Sequence, residues 1–453
     1  MNNNTNREHF SSRLGVLLAM AGGSIGLGNM WRFPYLVGKN GGAAFILVYL
    51  VFVVFLCLPI LVSEYALGRR TQKNAFGAFR ALSDNKKWSL IGIFAVSAAV
   101  CVLSFYCVVG GWSVKYLLEA LLFKMPILDS EYFGSFISSS WSPLIYTLIF
   151  LGMTGGVLVL GIQKGIERFS KVMMLLLFVL IVLIAIRSVT LPGAAEGIKY
   201  LFVPDLSALD GKAALEALGQ SFFSLSIGCG TVLTYGSYVK KEENIVSTSL
   251  LVALFDTTFA LIAGLAIIPA VFAIAYMNGV TPEIGAGPGL VFITLPAVFN
   301  EMPMGGFIAI LFFMSLLIAA ITSAISLMET FVTYEIEEWK VTRSKAVNIA
   351  FAICSVLGIF CSLSQGVLSN VKLFGLNIFD FFDKLSANVL MTGGGLLLVL
   401  FVGWSMKKED YIDELSNGHT NGIPAWLLST IYYLVKFVAP ITIIVVTIAN
   451  FIL

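Results

Sequence analysis

The sequence predicts an all-helical membrane protein of eleven transmembrane helices, two of which are broken. Of the 453 residues, 58% are hydrophobic and 12% are charged, and the mean hydropathy is +0.92. Soluble proteins carry about twice that charged fraction. The hydrophobic residues form long blocks near or above the roughly 20 residues that a membrane helix needs. Two of these blocks contain the same pattern, Ser-Ile-Gly-x-Gly, at 24–28 and 226–230.

Eleven hydrophobic blocks define the predicted helices, and no segment between them is long enough for a soluble domain. The longest intervals are 124–142 and 191–212. The predicted spans are 13–37, 43–70, 88–123, 143–161, 168–190, 213–239, 246–277, 304–338, 346–364, 376–405 and 425–452.

The repeated glycine-rich pattern falls in the first and sixth blocks. Glycine-rich interruptions at matching places in two halves of a membrane protein are typical of discontinuous helices in inverted repeats. Their unwound backbone lies at the bilayer midplane, where it binds ions and small solutes. The pattern therefore predicts a secondary transporter.

The distribution of basic residues predicts the orientation in the membrane. Lys and Arg concentrate in the loops after the second, fourth and sixth spans: Arg69, Arg70, Lys73, Arg80, Lys86, Lys87, Lys164, Arg168, Lys171, Lys240 and Lys241. Basic loops remain in the cytoplasm. We therefore expect a multi-pass protein of the cell (inner) membrane with a cytoplasmic N-terminus and an extracytoplasmic C-terminus.

Other features argue against several classes of function. A net charge of +2 gives no reason to expect a nucleic-acid partner. The six cysteines all lie in apolar spans without metal-ligand spacing, and the two histidines form no cluster. We expect no enzymatic activity and no organic cofactor.

The first span carries polar residues that a simple membrane helix avoids. Small residues four apart, Gly22 and Gly26, would by themselves be explained by close helix packing. Asn29 and Arg32 are costly inside a membrane and usually functional, and Pro34 follows directly. The span therefore predicts a functional break.

These and further motifs resemble the neurotransmitter/sodium symporter family, whose bacterial members transport amino acids. The resemblance extends over nearly the whole chain, and several of its motifs are highly specific. The matching stretches are 7–15, 26–34, 40–45, 59–69, 106–112, 220–230, 234–238 and 319–323.

The resemblance implies two sodium sites. The first would use a backbone carbonyl and three side chains, together with the substrate carboxylate: Ser24, Asn29, Ser224 and Asp256. The second would use three backbone oxygens and two hydroxyls: Gly22, Ile25, Ala319, Thr322 and Ser323. Taken without the resemblance, the two hydroxyls would simply bond to their own helix.

Asp256 departs from the family pattern, since many members have asparagine there. Chloride-dependent members bind the anion nearby, at positions that correspond here to Tyr49, Gln220, Ser224 and Asp256. Ala260, one turn further on, offers neither a hydroxyl nor a carboxylate. Asp256 is a candidate sodium ligand, chloride substitute or proton site, with a buried, protonated structural role as the alternative. We expect chloride-independent transport.

The resemblance also implies a substrate site for an amino acid. Its carboxylate would meet sodium, backbone amides and a phenol, and its ammonium would meet carbonyls of the sixth span. Gly26 occupies the position of the aspartate that binds amines in monoamine-transporting relatives. The mostly apolar lining favours a neutral hydrophobic or aromatic side chain, although Val102 and Leu327 alone would be explained by core packing. The predicted residues are Gly23, Ser24, Gly26, Leu27, Gly28, Val102, Tyr106, Phe223, Ser224, Ser226, Cys229, Ser323 and Leu327.

Alternating access requires two gates. On the outside we expect Arg32 to pair with Asp383, or alternatively with Asp380. On the inside we expect Arg7 to pair with Glu337 near Tyr238.

The sequence thus predicts one domain, 1–453, built of two inverted five-helix repeats, 13–190 and 213–405, and a peripheral helix, 425–452. Spans one and six are broken. The expected function is sodium-coupled symport of a neutral amino acid. A proton-coupled carrier that uses Asp256, a non-transporting amino-acid sensor and a channel remain as alternatives. The identity of the amino acid and the oligomeric state are not determined.

Overall fold

The computed structural model describes residues 8–124, 129–282, 284, 289–418 and 422–452. These residues form an all-helical protein, so the predicted fold class is confirmed. Spans 1 to 11 comprise Arg13–Ser24 with Gly28–Lys39, Ala43–Thr71, Lys86–Leu121, Ser142–Val159, Ile162–Val189, Gly211–Ser224 with Thr231–Gly236, Ile245–Asn278, Gly305–Glu338, Arg343–Leu363, Ile378–Ser405 and Ala425–Ile448. Shorter helices comprise Ala75–Leu82, Ser130–Ser138, Ala194–Phe202, Leu295–Glu301 and Lys408–Ser416.

Nine helices in the described part of the chain are long and apolar enough to cross a membrane unaided. The two halves of span 1 form a tenth crossing, bent by 55°. Span 6 is divided into pieces of 14 and 6 residues, neither of which reaches the roughly 20 residues of a full crossing. Span 5 begins at Ile162 rather than at the predicted 168, because a π-helical turn over Ile162–Glu167 precedes the predicted start.

The two breaks have different local causes. In span 1 the backbone of Ile25 is extended, and the Asn29 side chain accepts a hydrogen bond from the Gly26 N–H (3.1 Å). In span 6 three residues have positive φ: Ser226 (53°), Gly228 (83°) and Gly230 (68°). Helical hydrogen bonding cannot continue through left-handed residues. Each break leaves backbone groups available for side chains or ligands.

A buried carboxylate stabilises the break in span 6. Glu64 of span 2 is 1% exposed, and its Oε1 accepts a hydrogen bond from the Gly228 N–H at 2.8 Å. The carboxylate thereby satisfies a backbone donor that the interrupted helix leaves without a helical partner.

The broken spans lie in the centre of the bundle. Span 8 packs against spans 1, 3, 5 and 9, and span 1 also packs against span 7. Within the most hydrophobic 18-residue window of span 8, 78% of the residues are buried, whereas spans 4, 5 and 11 reach only 39%. Span 11 therefore lies at the periphery, as the sequence predicts, while the breaks are enclosed.

A buried ion pair anchors the helix that follows span 10. Arg69, at the end of span 2, is 1% exposed and donates from Nε to Glu414 Oε1 at 2.7 Å. Its other nitrogens donate to the carbonyl oxygens of Glu414, Lys241 and Glu243. The guanidinium thus joins span 2, the loop between spans 6 and 7, and the helix Lys408–Ser416.

Candidate substrate and ion site

A central cavity lies between the breaks of spans 1 and 6, and the space between its lining atoms is about 380 Å³ with open solvent included. Spans 3, 8 and 10 complete its wall. The described lining contains twelve of the thirteen predicted substrate residues, and Ser224 lies outside it. The lining residues are Gly23, Ser24, Gly26, Leu27, Gly28, Val102, Tyr106, Phe223, Ser226, Cys229, Ser323, Leu327 and Met391.

One wall of the cavity is formed by polar groups around the break of span 1. The Tyr106 hydroxyl accepts a hydrogen bond from the Leu27 N–H at 3.2 Å. The Ser226 hydroxyl donates to the Gly23 carbonyl at 3.3 Å. A Cβ atom on Gly26 would lie 2.8 Å from the Tyr106 hydroxyl and closer still to Ser323 Oγ. The backbone at Gly26 is therefore accessible only because the residue has no side chain.

Beside the cavity, three predicted ligands of the first sodium form one buried cluster. The Asn29 amide donates to Ser224 Oγ (3.1 Å) and to Asp256 Oδ1 (2.9 Å). The Ser224 hydroxyl donates to Asp256 Oδ2 at 2.6 Å. All three residues are at most 1% exposed. The cluster offers amide, hydroxyl and carboxylate oxygens, the hard ligands that suit an alkali cation. Ser24 lines the cavity, and its own hydroxyl donates back to Met20.

The positions of the predicted anion site surround the same cluster. The Tyr49 hydroxyl donates to Ser224 Oγ at 3.4 Å, and Gln220 Nε2 donates to the Gly28 carbonyl at 3.2 Å. Ala260 is fully buried. Asp256 is thus the acidic side chain among the positions that correspond to the anion site.

The five residues predicted for the second sodium meet between spans 1 and 8. The Ser323 hydroxyl donates across the interface to the carbonyls of Gly22 (3.3 Å) and Ile25 (3.1 Å). The Thr322 hydroxyl donates to the carbonyls of Ile318 and Ala319 in its own helix, both at 3.0 Å. The Thr322 hydroxyl therefore bonds to its own helix, whereas the Ser323 hydroxyl bonds to span 1.

Two comparisons place the chain among known proteins. The model of the sodium:neurotransmitter symporter family matches residues 7–133 and 134–453. The chain is 40% identical over 441 residues to an uncharacterized sodium-dependent transporter, YhdH, of Bacillus subtilis, with 96% of each chain covered. The chain belongs to the sodium:neurotransmitter symporter family.

Two further relatives illustrate the range of this family. The symporter superimposes on the crystal structure of MhsT in complex with L-phenylalanine with a TM-score of 0.88 and 41% identity, covering 98% of this chain and 99% of that one. It is 27% identical to the sodium- and chloride-dependent taurine transporter of the dog, Canis lupus familiaris, over 91% of this chain and 73% of the relative. The predicted family is confirmed, and the protein is a sodium-dependent membrane transporter rather than an enzyme.

The symporter has a wide cavity on the side predicted to face outward, with about 1220 Å³ of empty space. Arg32, Asp380 and Asp383 all line it. Among the described residues, no ion pair within 4.0 Å joins Arg32 to either aspartate. The Arg32 guanidinium lies 4.7 Å from the centre of the Phe223 ring instead. The arginine and Phe223 therefore separate this cavity from the central one.

On the side predicted to face the cytoplasm, the symporter has a buried polar network. The Tyr238 hydroxyl donates to Glu329 Oε1 (2.6 Å) and lies 2.6 Å from Thr333 Oγ1. Arg343 pairs with Glu329 Oε2 at 2.6 Å. The Phe10 N–H donates to the Tyr238 carbonyl (3.1 Å), which fixes the N-terminal segment to the end of span 6. The network thus joins the N-terminal segment to spans 6, 8 and 9 on this side.

The predicted inner pair of Arg7 with Glu337 lies partly outside the described residues, which begin at residue 8. Glu337 accepts hydrogen bonds from the N–H and Nδ2 of Asn74, at 2.8 and 2.9 Å. It lines the same inner cavity as Tyr238.

Three residues of these sites are absent from the sequence-based set. Glu329 carries a usable signal, because an ionisable residue within an apolar span is functional by default. Arg343 begins span 9 and reads as an ordinary basic residue at a helix end. Met391 lies two residues before three consecutive glycines in span 10 and carries no signal of its own, since one methionine among many apolar residues is indistinguishable from a core residue.

Proposed function

We propose that this transporter couples the uptake of a neutral hydrophobic or aromatic amino acid to sodium, without requiring chloride. The central cavity carries the proposal. None of the described residues that line it is charged, and the lining combines backbone and hydroxyl groups with apolar side chains. A zwitterion with an uncharged side chain fits this combination.

The polar wall suits the two charges of a free amino acid. The second half of span 1 begins at Gly28, so its N-terminal amides face the break, and such amides attract a carboxylate. The Tyr106 hydroxyl stands beside them. The broken span 6 supplies carbonyls near Phe223 and Ser226 for the ammonium. An aspartate at Gly26 would collide with Tyr106, which argues against a substrate that lacks its own carboxylate.

We further propose two sodium sites, at the Asn29–Ser224–Asp256 cluster and at the Ser323 cluster between spans 1 and 8. In the first, sodium would take the place of the hydrogens that the Asn29 amide and the Ser224 hydroxyl now direct at Asp256, and these two side chains would turn their oxygens to the ion. In the second, sodium would be coordinated by the Gly22 and Ile25 carbonyl oxygens, to which the Ser323 hydroxyl now donates. Both sites join a broken span to a continuous one, so occupancy biases the relative position of these spans.

Chloride independence rests on Asp256. A permanent carboxylate in the cluster would balance the sodium charge that an anion balances in chloride-dependent relatives. Because one relative is named as chloride-dependent, this part needs its own measurement.

The decisive experiment is uptake of radiolabelled neutral amino acids into proteoliposomes that contain the purified protein. External sodium is replaced by potassium or choline in one series, and chloride by gluconate in another. We expect accumulation that requires sodium and is indifferent to chloride. Equal uptake without sodium under a proton gradient would favour a proton-coupled carrier using Asp256. Tight binding without accumulation would favour a sensor.

The remaining expectations are part of the same proposal. They are a location in the cell membrane with the N-terminus in the cytoplasm, and the division of the chain into inverted repeats at 13–190 and 213–405. Protease protection of an N-terminal tag in inverted and right-side-out vesicles tests the orientation.

A further inference from the structure

We propose that Met391 is a movable partition whose displacement enlarges the substrate cavity, so that the symporter accepts side chains as large as an indole ring. This inference rests on the amino-acid symport proposed above and specifies the size of the substrate.

The starting observation is a second cavity beside the central one. It lies between spans 6, 10 and 11, and the space between its lining atoms is about 470 Å³ with open solvent included. Much of its lining is apolar, including Leu218, Phe222, Ile443 and Val446. Phe223 and Met391 line both cavities, so these two residues lie between them.

Phe223 is the more restricted of these two residues. The centre of its ring lies 4.7 Å from the Arg32 guanidinium carbon, and the ring would be 2.8 Å from a Cβ atom on Gly28. The cation and the close backbone both restrict the ring in this arrangement.

Met391 is the residue that can move. Its backbone is held, because a Cβ on Gly228 would overlap the Met391 carbonyl oxygen. The adjacent Thr392 hydroxyl also donates to the Ala387 carbonyl at 2.5 Å. The Met391 side chain itself is 3% exposed and has three rotatable bonds and no polar anchor. A methionine held at its backbone can change rotamer without disturbing the helix.

The size of the neighbouring residue makes this freedom useful. Cys229 lines the central cavity and has a small side chain, so it fills little of the apolar part of this cavity. With Met391 in place, the apolar wall accommodates an aliphatic side chain. With Met391 rotated away, the two cavities join, and a bicyclic side chain can extend toward Ile443 and Val446.

The test compares affinities for tryptophan and valine in sodium-dependent binding to the purified symporter. Met391→Phe places a stiff, larger group in the partition, and we expect the tryptophan-to-valine affinity ratio to fall at least about tenfold, as hydrophobic pockets discriminate on this scale. Met391→Ala removes the partition and should raise the ratio.

Val446→Phe fills the second cavity from span 11 without altering the central one, and it should also lower the ratio. Its matched control is Val445→Phe, because Val445 is the adjacent residue and is 56% exposed on the outer surface. This control should leave the ratio unchanged. If the Met391 variants fail to fold, the pair at 445 and 446 still decides the question.

Equal ratios in Val446→Phe and Val445→Phe would overturn the proposal, as would a wild-type symporter that binds valine but not tryptophan. The proposed function fails differently, through the absence of sodium-dependent amino-acid uptake by the wild-type protein.

Discussion

Gly26 offers the sharpest test of the proposed site, because the smallest possible substitution should disable it. In Gly26→Ala the new methyl group would lie 2.8 Å from the Tyr106 hydroxyl and 3.2 Å from Ser323 Cβ, with Ser323 Oγ nearer still. Backbone movement is restricted, since the Gly26 N–H donates to Asn29 Oδ1 at 3.1 Å. Relief therefore requires the Ser323 hydroxyl to rotate away and the phenol to retreat.

The cost follows from the hydrogen bonds that are lost. Rotation of Ser323 removes its bonds to the Gly22 and Ile25 carbonyls, and retreat of Tyr106 weakens its bond to Leu27. The single Ser323 proton is shared between two carbonyls and counts as one bond, so at ~0.5–1.5 kcal/mol for each neutral hydrogen bond the total is about 1–3 kcal/mol. Since 1.4 kcal/mol corresponds to a tenfold change, substrate affinity in saturating sodium should fall roughly 5- to 150-fold.

The assay is sodium-dependent binding of a radiolabelled amino acid to purified protein, with thermal unfolding in detergent measured in parallel. Gly152→Ala is the matched control, because nothing lies within 4 Å of a Cβ at that exposed position in span 4. An affinity of Gly26→Ala within threefold of that of the control would refute the argument that Gly26 is required by Tyr106 and Ser323.

Three further predictions address sodium binding, chloride and stability. Asp256→Asn should weaken the apparent sodium affinity about tenfold, and chloride should then stimulate uptake, because the cluster loses its negative charge. A sodium titration that is unchanged in both chloride and gluconate would contradict this prediction. Ser323→Ala should also weaken sodium affinity about tenfold, whereas Ser315→Ala, whose hydroxyl donates only to its own helix, should not, as isothermal titration with sodium would show. Glu414→Gln should lower the free energy of unfolding by about 3–5 kcal/mol, because it leaves the buried Arg69 without its carboxylate. Asp410→Asn should cost less than about 1 kcal/mol, because Asp410 is half-exposed, and equal melting temperatures of the two variants would contradict this difference.

The sequence predicts the spans well because hydrophobic length is a local property. Ten of the eleven predicted spans begin within three residues of the helices observed, and the exception is the fifth. Its first turn, Ile162–Glu167, contains Gln163, Lys164 and Glu167, and so does not read as membrane helix. A π-helical turn continues the helix there through polar sequence, which hydropathy cannot reveal.

The sequence likewise reveals some residues of the candidate site and not others. The sequence reveals Gly26, Asn29 and the Ser-Ile-Gly-x-Gly pattern. Polar side chains are rare in membrane helices, and matching glycine-rich breaks are typical of binding sites. Met391 is not visible, since its role depends on span 10 lying against the break of span 6, where Gly228 contacts its carbonyl.

The sequence by itself determined that the protein is a helical membrane transporter with two broken spans and a glycine-lined polar centre. Composition, hydrophobic length and the repeated pattern suffice for this, because each constrains a single segment. Only the tertiary structure decided which hydroxyl crosses to a neighbouring helix, which carboxylate meets which amide, and which side chain separates two cavities. Those outcomes depend on distances of about 3 Å between residues as far apart as Ile25 and Ser323, and no local pattern records them.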